Sequence, residues 1–211
     1  RRGDKQPWSD EKPVDILSDG VSFGMPGSAP DYRTLQVWLS RGYPMPRFTT
    51  YAVRTEPGIH AITYRLSNSR FRGPPPGSKD TAILYVSHHS SDSELRQEPL
   101  VEELIDGHPD AAFYACDVRG IGESRPGTTN KSWLTSYGGD YFYAIHSLML
   151  DTPYLGQRTY DVLRMVQWLR SVGHKEVHLV GNRWGALPAT FAALLSDSVT
   201  GVTLKNPLTS Y

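Results

Sequence analysis

Short runs of consecutive apolar residues alternate along the chain with stretches of helical period. Thr81–Ser87 (TAILYVS), Ala111–Cys116 (AAFYAC), Val177–Val180 (VHLV) and Val199–Leu204 each read as a strand buried on both faces. Between them the period changes. Pro99 suits a first helical turn, with Leu100, Val101, Leu104 and Ile105 on one face and Gly107 at the end. A helix is expected from near Asp140, after Gly138-Gly139, to before Pro153. Another is expected over Arg158–Ser171, where Val162, Leu163, Val166 and Leu169 share a face and Gly173 closes the end. An alanine-rich helix runs from Gly185 to about Leu195.

Upstream the pattern differs. Thr49–Arg54 and His60–Leu66 are strand-like runs on either side of Glu56-Pro57-Gly58, which predicts an antiparallel pair. Leu35, Trp38 and Leu39 fit one face of a short helix closed by Gly42 and Pro44. Residues 1–30 are rich in Gly, Pro, Ser and Asp and read as an arm, with Trp8, Ile16, Leu17 and Phe23 as anchors. Residues 1–44 are therefore expected to be an extended arm with a short helix, and residues 45–211 the domain. Alternating buried strands and helices predict a mostly parallel sheet covered on both faces, an α/β fold.

Composition narrows the function classes. Lys+Arg and Asp+Glu are both 22, so no basic excess draws nucleic acid. No apolar run approaches the length of a membrane span. The one cysteine, Cys116, excludes an internal disulfide. His88 and His89 are adjacent and, in an extended chain, point apart. No Cys or carboxylate joins them at ligand spacing, so no metal site is expected. Gly120-Ile121-Gly122 lacks the further glycine of a dinucleotide fingerprint, and no P-loop lysine follows a glycine run; no cofactor is expected. His178 reads as a hydrogen-bonded core residue, and His146 lies in a helical pattern that fits either face.

Two motifs carry candidate chemistry. Gly181-Asn182-Arg183-Trp184-Gly185 follows a buried strand and opens a helix, the geometry of a nucleophile elbow. Asp117–Ser124 (DVRGIGES) is a Gly-punctuated loop at the carboxyl end of a strand, where open α/β sheets bind ligands. Its Asp117, Arg119, Gly120 and Gly122 read as structural, with Arg119 either pairing with a carboxylate or capping carbonyls and the glycines permitting the turn.

These motifs resemble the α/β-hydrolase superfamily, in particular its acetyl-xylan-esterase-like and prolyl-oligopeptidase-like branches. DVRGIGES is similar to their D-x-R-G-x-G-x-S loop, GNRWG to their elbow pentapeptide, and His88-His89-Ser90 falls where their oxyanion loop follows a strand. The resemblance spans roughly residues 45–206. It implies a serine esterase in which the elbow serine attacks an ester carbonyl and backbone N–H groups hold the oxyanion. It would place the protein outside the cytoplasm, secreted or periplasmic.

At the serine position this chain has Arg183, which has no usable lone pair at neutral pH. Beyond it stand Asp197 and no histidine. The oxyanion elements implied by the resemblance are the N–H of Trp184 and one near His89 and Ser90. A last strand at 199–204 leaves a sheet edge, so the later strands are expected from the rest of the same protein or a second fragment. The start at Arg1, with no charged-then-apolar leader, reads as processed or cut.

Three readings follow. The first is a degenerate module, structural or binding, in a larger esterase-like protein. The second is an active ester hydrolase with catalytic residues supplied from outside this chain. The third is an anion site centred on Arg183, where helix-start N–H groups and the oxyanion loop converge on a carboxylate, sulfate or uronate; its alternative is an arginine paired locally or pointing into solvent. Trp133, Tyr137, Tyr141, Phe142 and Tyr143 either stack on a carbohydrate ligand or form core for the helical layer.

Overall fold

The computed structural model describes residues 27–69, 79–125 and 140–207. Residues 1–26, 70–78, 126–139 and 208–211 lie outside the described set, and with them the anchors Trp8, Ile16, Leu17 and Phe23 and the aromatics Trp133 and Tyr137.

The strands are β1 (Tyr32–Leu39), β2 (Arg47–Glu56), β3 (Ile59–Ser67), β4 (Thr81–Val86), β5 (Ala112–Asp117), β6 (Glu176–Asn182) and β7 (Val199–Lys205). The helices are α1 (Ser91–Gln97), α2 (Pro99–Gly107), α3 (Asp140–Met149), α4 (Tyr154–Ser171) and α5 (Ala186–Leu195). The strands form one seven-stranded sheet in the order β1-β2-β3-β5-β4-β6-β7. β1, β2 and β3 pair antiparallel, and β3 pairs antiparallel with β5. β5, β4, β6 and β7 are parallel.

The two-residue turn at Pro57-Gly58 closes the β2–β3 hairpin, with Gly58 at φ 82. Period-two alternation divides the sheet into two cores. Leu84, Tyr114 and Leu179 face α4 and α5, while Ile83, Tyr85 and Phe113 face α1 and α2. Trp168 of α4, fully buried, is the centre of the larger core. Its ring lies 5.4 Å from Tyr51, 5.9 Å from Tyr114 and 5.6 Å from Tyr32.

Two expected elements are corrected, and one helix is added. Leu35, Trp38 and Leu39 lie on β1, not on a helix. A short run of Tyr, Thr, Val and Trp fits a strand as well as a helix by period, and pairing with β2 decides it. The sheet therefore starts upstream of residue 45. Ser91-Asp92 begin α1, capped by the Ser90 hydroxyl, which accepts from the Ser93 N–H. Helix α4 starts at Tyr154 rather than Arg158, immediately after Pro153. The hairpin, the four parallel strands and the helices at 99–107, 140–149 and 186–195 match their expected places.

Two buried polar clusters tie the layers together. Arg119, at the end of the β5 loop, donates from Nε and Nη2 to the two carboxylate oxygens of Asp161 on α4, at 2.8 and 2.6 Å. Its Nη2 also reaches Glu56 at the end of β2, 2.9 Å away, and its Nη1 reaches Gln157. Burial pulls Arg119 toward its neutral form, but the bonds and charge of Asp161 and then Glu56 outweigh it and hold the guanidinium more firmly protonated than usual. Asp161 is wholly buried. Asp161→Ala, which leaves this cation without its main partner, is expected to cost about 3–5 kcal/mol, read from urea unfolding midpoints. A loss below about 1 kcal/mol would contradict the staple.

In the second cluster, His174 is buried between the Tyr114 hydroxyl, 2.9 Å from Nε2, and the Lys79 carbonyl, 2.7 Å from Nδ1. Burial lowers its pKa, aided by Arg65 and opposed by the Lys79 carbonyl. The unfolded chain therefore takes up a proton that the folded chain refuses. The stabilisation is present above the unfolded value of about 6.5 and is lost as pH falls toward the depressed folded value. Between pH 7.5 and 5.5 the wild type is expected to lose more stability than His174→Asn, measured by denaturant unfolding at each pH. Parallel losses in the two proteins would remove His174 as the cause.

Candidate functional site

The chain order locates a crevice without reference to any family. From β4 the chain moves to β5 on one side, then crosses back to β6 on the other side of β4. The direction reverses between β4 and β6, and ligands of open α/β sheets bind outside the carboxyl ends of the strands at such a point. The loops there are His88–Ser90 after β4 and Arg183–Gly185 after β6.

The β6–α5 connection is a sharp elbow. Arg183 stands at its tip with φ 48, a left-handed conformation that a non-glycine residue adopts at a cost of about 1–3 kcal/mol. Packing forces it. A Cβ on Gly185 would lie 2.2 Å from the Val86 carbonyl oxygen, and one on Gly181 would lie 2.5 Å from Ala186 Cα. Only glycines let the start of α5 press this closely on β4 and β6. The Arg183 side chain is exposed and makes no hydrogen bond or ion pair with a described residue. Trp184 follows, 52% exposed. Its N–H belongs to the first turn, where no acceptor exists within the helix.

The facing loop is filled from within. Glu94 of α1 turns back, and its Oε1 accepts from the N–H of His88 at 2.7 Å, His89 at 2.8 Å and Ser90 at 3.4 Å. Its Oε2 accepts from the Tyr85 hydroxyl at 2.6 Å and from Asn182 Nδ2 at 3.0 Å. Asn182 also donates to Glu98, which pairs with Lys205 of β7. Burial raises the Glu98 pKa, but Lys205, the Leu100 N–H and Asn182 more than reverse this. Glu94 and Asn182 were not singled out from the sequence. The only signal for Glu94 was the S-x-x-E spacing of Ser91 to Glu94, a helix-start pattern.

His88 and His89 do not point apart as expected: their rings lie 3.6 Å between centroids. The tight turn into α1 gathers them on one side. Burial lowers the pKa of His88, as do His89 and Arg183, against the opposite pull of Glu94.

The Asp117 loop is tied down by hydrogen bonds of its own residues. The buried Asp117 carboxylate accepts from the Ser91 N–H at 2.7 Å, the Glu123 N–H at 2.9 Å and the Ser87 hydroxyl at 2.9 Å. Burial nonetheless raises its pKa. Gly122 (φ 48) passes so close that a Cβ would sit 2.1 Å from Asp117 Oδ2, and its N–H donates to the His89 carbonyl. Gly120 turns at φ 76. His178 is half-buried and shares a 2.8 Å hydrogen bond with Thr203, and His146 faces outward on α3. Tyr141 also lies on α3, whereas Tyr143 and Tyr154, a stacked pair 6.4 Å apart, flank a second hollow by the Asp117 loop. Among the described residues no group of three His, Cys, Asp or Glu is placed to hold a metal ion, and no helix is long and apolar enough to cross a membrane.

No family model matches the sequence, and no curated protein matches it significantly. Solved structures do. A candidate acetyl xylan esterase of Bacteroides fragilis superposes with a TM-score of 0.64 at 15% identity, over 90% of this chain and 50% of that one. Acetyl xylan esterase 1 of Thermoanaerobacterium gives 0.55 at 16%, over 93% and 59%. A glucuronoyl esterase of Solibacter usitatus gives 0.52 at 12%, over 92% and 57%. The chain thus spans little more than half the length of these proteins. At such identities the likeness is one of fold. The chain has an α/β-hydrolase-like fold.

Proposed function

We propose that this chain is a hydrolase-fold module, related to carbohydrate esterases, that performs no ester cleavage at the β6–α5 elbow and serves as a structural or binding unit of a larger esterase-like protein. The observation that carries this reading is the Glu94 carboxylate seated on the backbone N–H groups of His88, His89 and Ser90. Acyl transfer needs a nucleophile at the tip and a free donor where the oxyanion forms. At the tip stands Arg183, and in the donor loop an anion already takes the hydrogen bonds. An oxyanion developing there would meet negative charge. Loss of one such donor alone costs about 10²–10³ in kcat. Polypeptide outside this chain can bring an acid and a histidine, which is the route to an active hydrolase, but it does not change the tip.

The purified chain is expected to hydrolyse para-nitrophenyl acetate and acetylated xylo-oligosaccharides no faster than buffer, and to resist a serine-reactive fluorophosphonate. Arg183→Ser is expected to stay inactive, because Glu94 still fills the loop. Saturable turnover abolished by the fluorophosphonate, with the label on this chain, would overturn the reading.

The larger assembly is supported by the β7 edge. β7 pairs only with β6 among the described residues, and Val202, Leu204 and the nearby Leu194 stay exposed. Such an edge invites a further strand. We assign it to polypeptide of the same protein or of a second fragment that covers this side of the sheet.

A second reading, anion binding at Arg183, is favoured by the exposed guanidinium without a described partner, next to the exposed Trp184. The ligand class is a carboxylate-bearing sugar, with Arg183 taking the carboxylate and Trp184 the ring. Arg183→Ala is then expected to weaken oligogalacturonate binding at least tenfold by calorimetry, with strong salt dependence in the wild type. Equal affinities in wild type and variant would eliminate it.

A further inference from the structure

Helix α3 carries its apolar residues on the wrong side for a core. Its buried position is Ser147, whose hydroxyl donates to the Ala144 carbonyl at 2.8 Å. Ile145, Leu148 and Met149, at i, i+3 and i+4 on one face, are 36%, 66% and 78% exposed, and Leu150 beyond them is 74% exposed. Helix α4 has the usual order, with Val162, Met165, Val166 and Leu169 all buried. We propose that the outer face of α3 is a homotypic interface, on which a second copy of this chain packs its own α3 about a two-fold axis near Leu148. The inference holds whether or not the elbow hydrolyses esters, and whether or not a further strand joins β7.

The exposed end of α3 is a closed turn. Asp151 takes φ 55, its N–H donates to the Leu148 carbonyl at 3.1 Å, and the Thr152 N–H donates to the Ser147 carbonyl at 2.8 Å. These are the two bonds of a Schellman motif, and Pro153 follows it. Leu148, Met149 and Leu150 are thus presented by a capped helix end.

Charge and size select the occupant. Between Asp140 and Asp151 the sequence has no Lys, Arg, Asp or Glu, although 21% of the chain is charged. Such a face offers a different protein no charge to read, whereas it is compatible with a copy of itself. An anionic bilayer draws amphipathic helices through Lys and Arg on the polar face; α3 has neither and is bracketed by acids, which argues against a lipid surface. The cluster is on the order of a few hundred Å². A standard interface takes about 800 Å² from each partner and permanent ones take more, so the patch suits a reversible contact of one helix on another. The two-fold adds complementarity at its ends. An antiparallel crossing at Leu148 sets Leu150 of one copy against His146 of the other, and Asp151 against Ile145. Each imidazole then comes beside the other copy's carboxylate, twice about the axis, and the two helix dipoles oppose.

The test is sedimentation velocity of the 211-residue chain from about 1 to 300 μM. The mass is expected to rise from 23.6 kDa toward twice that value, reversibly on dilution. Leu148→Glu and Leu148→Lys should each stay monomeric, because the two-fold brings like charges together. Mixed in equal amounts they should associate again, at least tenfold more tightly than either alone. Unfolding midpoints near the wild-type value check that these variants fold, and Met149→Glu replaces them if they do not. Val202→Glu on β7 should leave the dimer unchanged. A monomer at every concentration, a dimer that Leu148→Glu leaves intact, or a mixed pair that stays apart would overturn the interface. A dimer lost only in Val202→Glu would overturn it too, and would move the contact to the sheet edge.

Discussion

The close approach of Gly185 to the Val86 carbonyl is the constraint from which the crevice follows. With 2.2 Å between that oxygen and the place of a Cβ, the chain leaving β6 has no room to turn gradually. It must reverse within Asn182–Gly185, and the left-handed φ at Arg183 is the result. The same contact brings the start of α5 against β4, so the loop after β4 faces the elbow tip. Asn182, the last residue of β6, is then within reach of Tyr85 and Glu94, and β7 is drawn in through Glu98 and Lys205. Geometry at one glycine thus sets which polar groups meet at the switch point.

What meets there is paired mostly within the chain, although Asn182 Oδ1 and His88 Nδ1 are buried without a partner among the described residues. Glu94 receives hydrogen bonds from backbone amides, a phenol and a side-chain amide, which fix its carboxylate in place. Removing one member of such a network exposes the desolvation cost of the rest. The Arg119–Asp161–Glu56 cluster has the same character on the other side of the Asp117 loop. The loop is therefore held from both sides, which explains why its glycines serve close packing rather than motion.

Much of this fold was legible because its signals are local. The parallel strands announce themselves as apolar runs, and the hairpin through Pro57-Gly58. The elbow shows in the spacing of Gly181 and Gly185, while Arg119 is legible only as a loop cation that pairs with a carboxylate or caps carbonyls, and Asp161 on α4 decides between them. Failures occurred where local patterns were degenerate or the deciding contact was remote. At Leu35–Leu39 the period of a short apolar stretch did not separate helix from strand, and pairing with β2 settled it. His88 and His89 were expected to diverge because an extended chain was assumed, whereas α1 starts at once. Glu94 carries no sign in sequence that it will fill the preceding loop, since its other partners, Tyr85 and Asn182, lie on two different strands. Tyr143 was legible only as one of a group of aromatics, and its pairing with Tyr154 depends on how α3 crosses α4.

The strain at Arg183 bears on how such sites are to be read. Backbone strain at a strand–helix turn is often taken as a sign of catalysis, because it presents a nucleophile. Here the positive φ has a sufficient cause in packing, through Gly181 and Gly185, whatever side chain the tip bears. Exchanging a serine for an arginine at that tip would alter the chemistry without relaxing the turn, because the side chain projects into solvent and the glycines stay. The two properties therefore separate under mutation: elbow geometry rests on the packing of the two glycines, while turnover rests on the nucleophile and the oxyanion donors. On the reading proposed above, the sharp elbow records the fold, and the occupants of the crevice, Arg183 and Glu94, record the function.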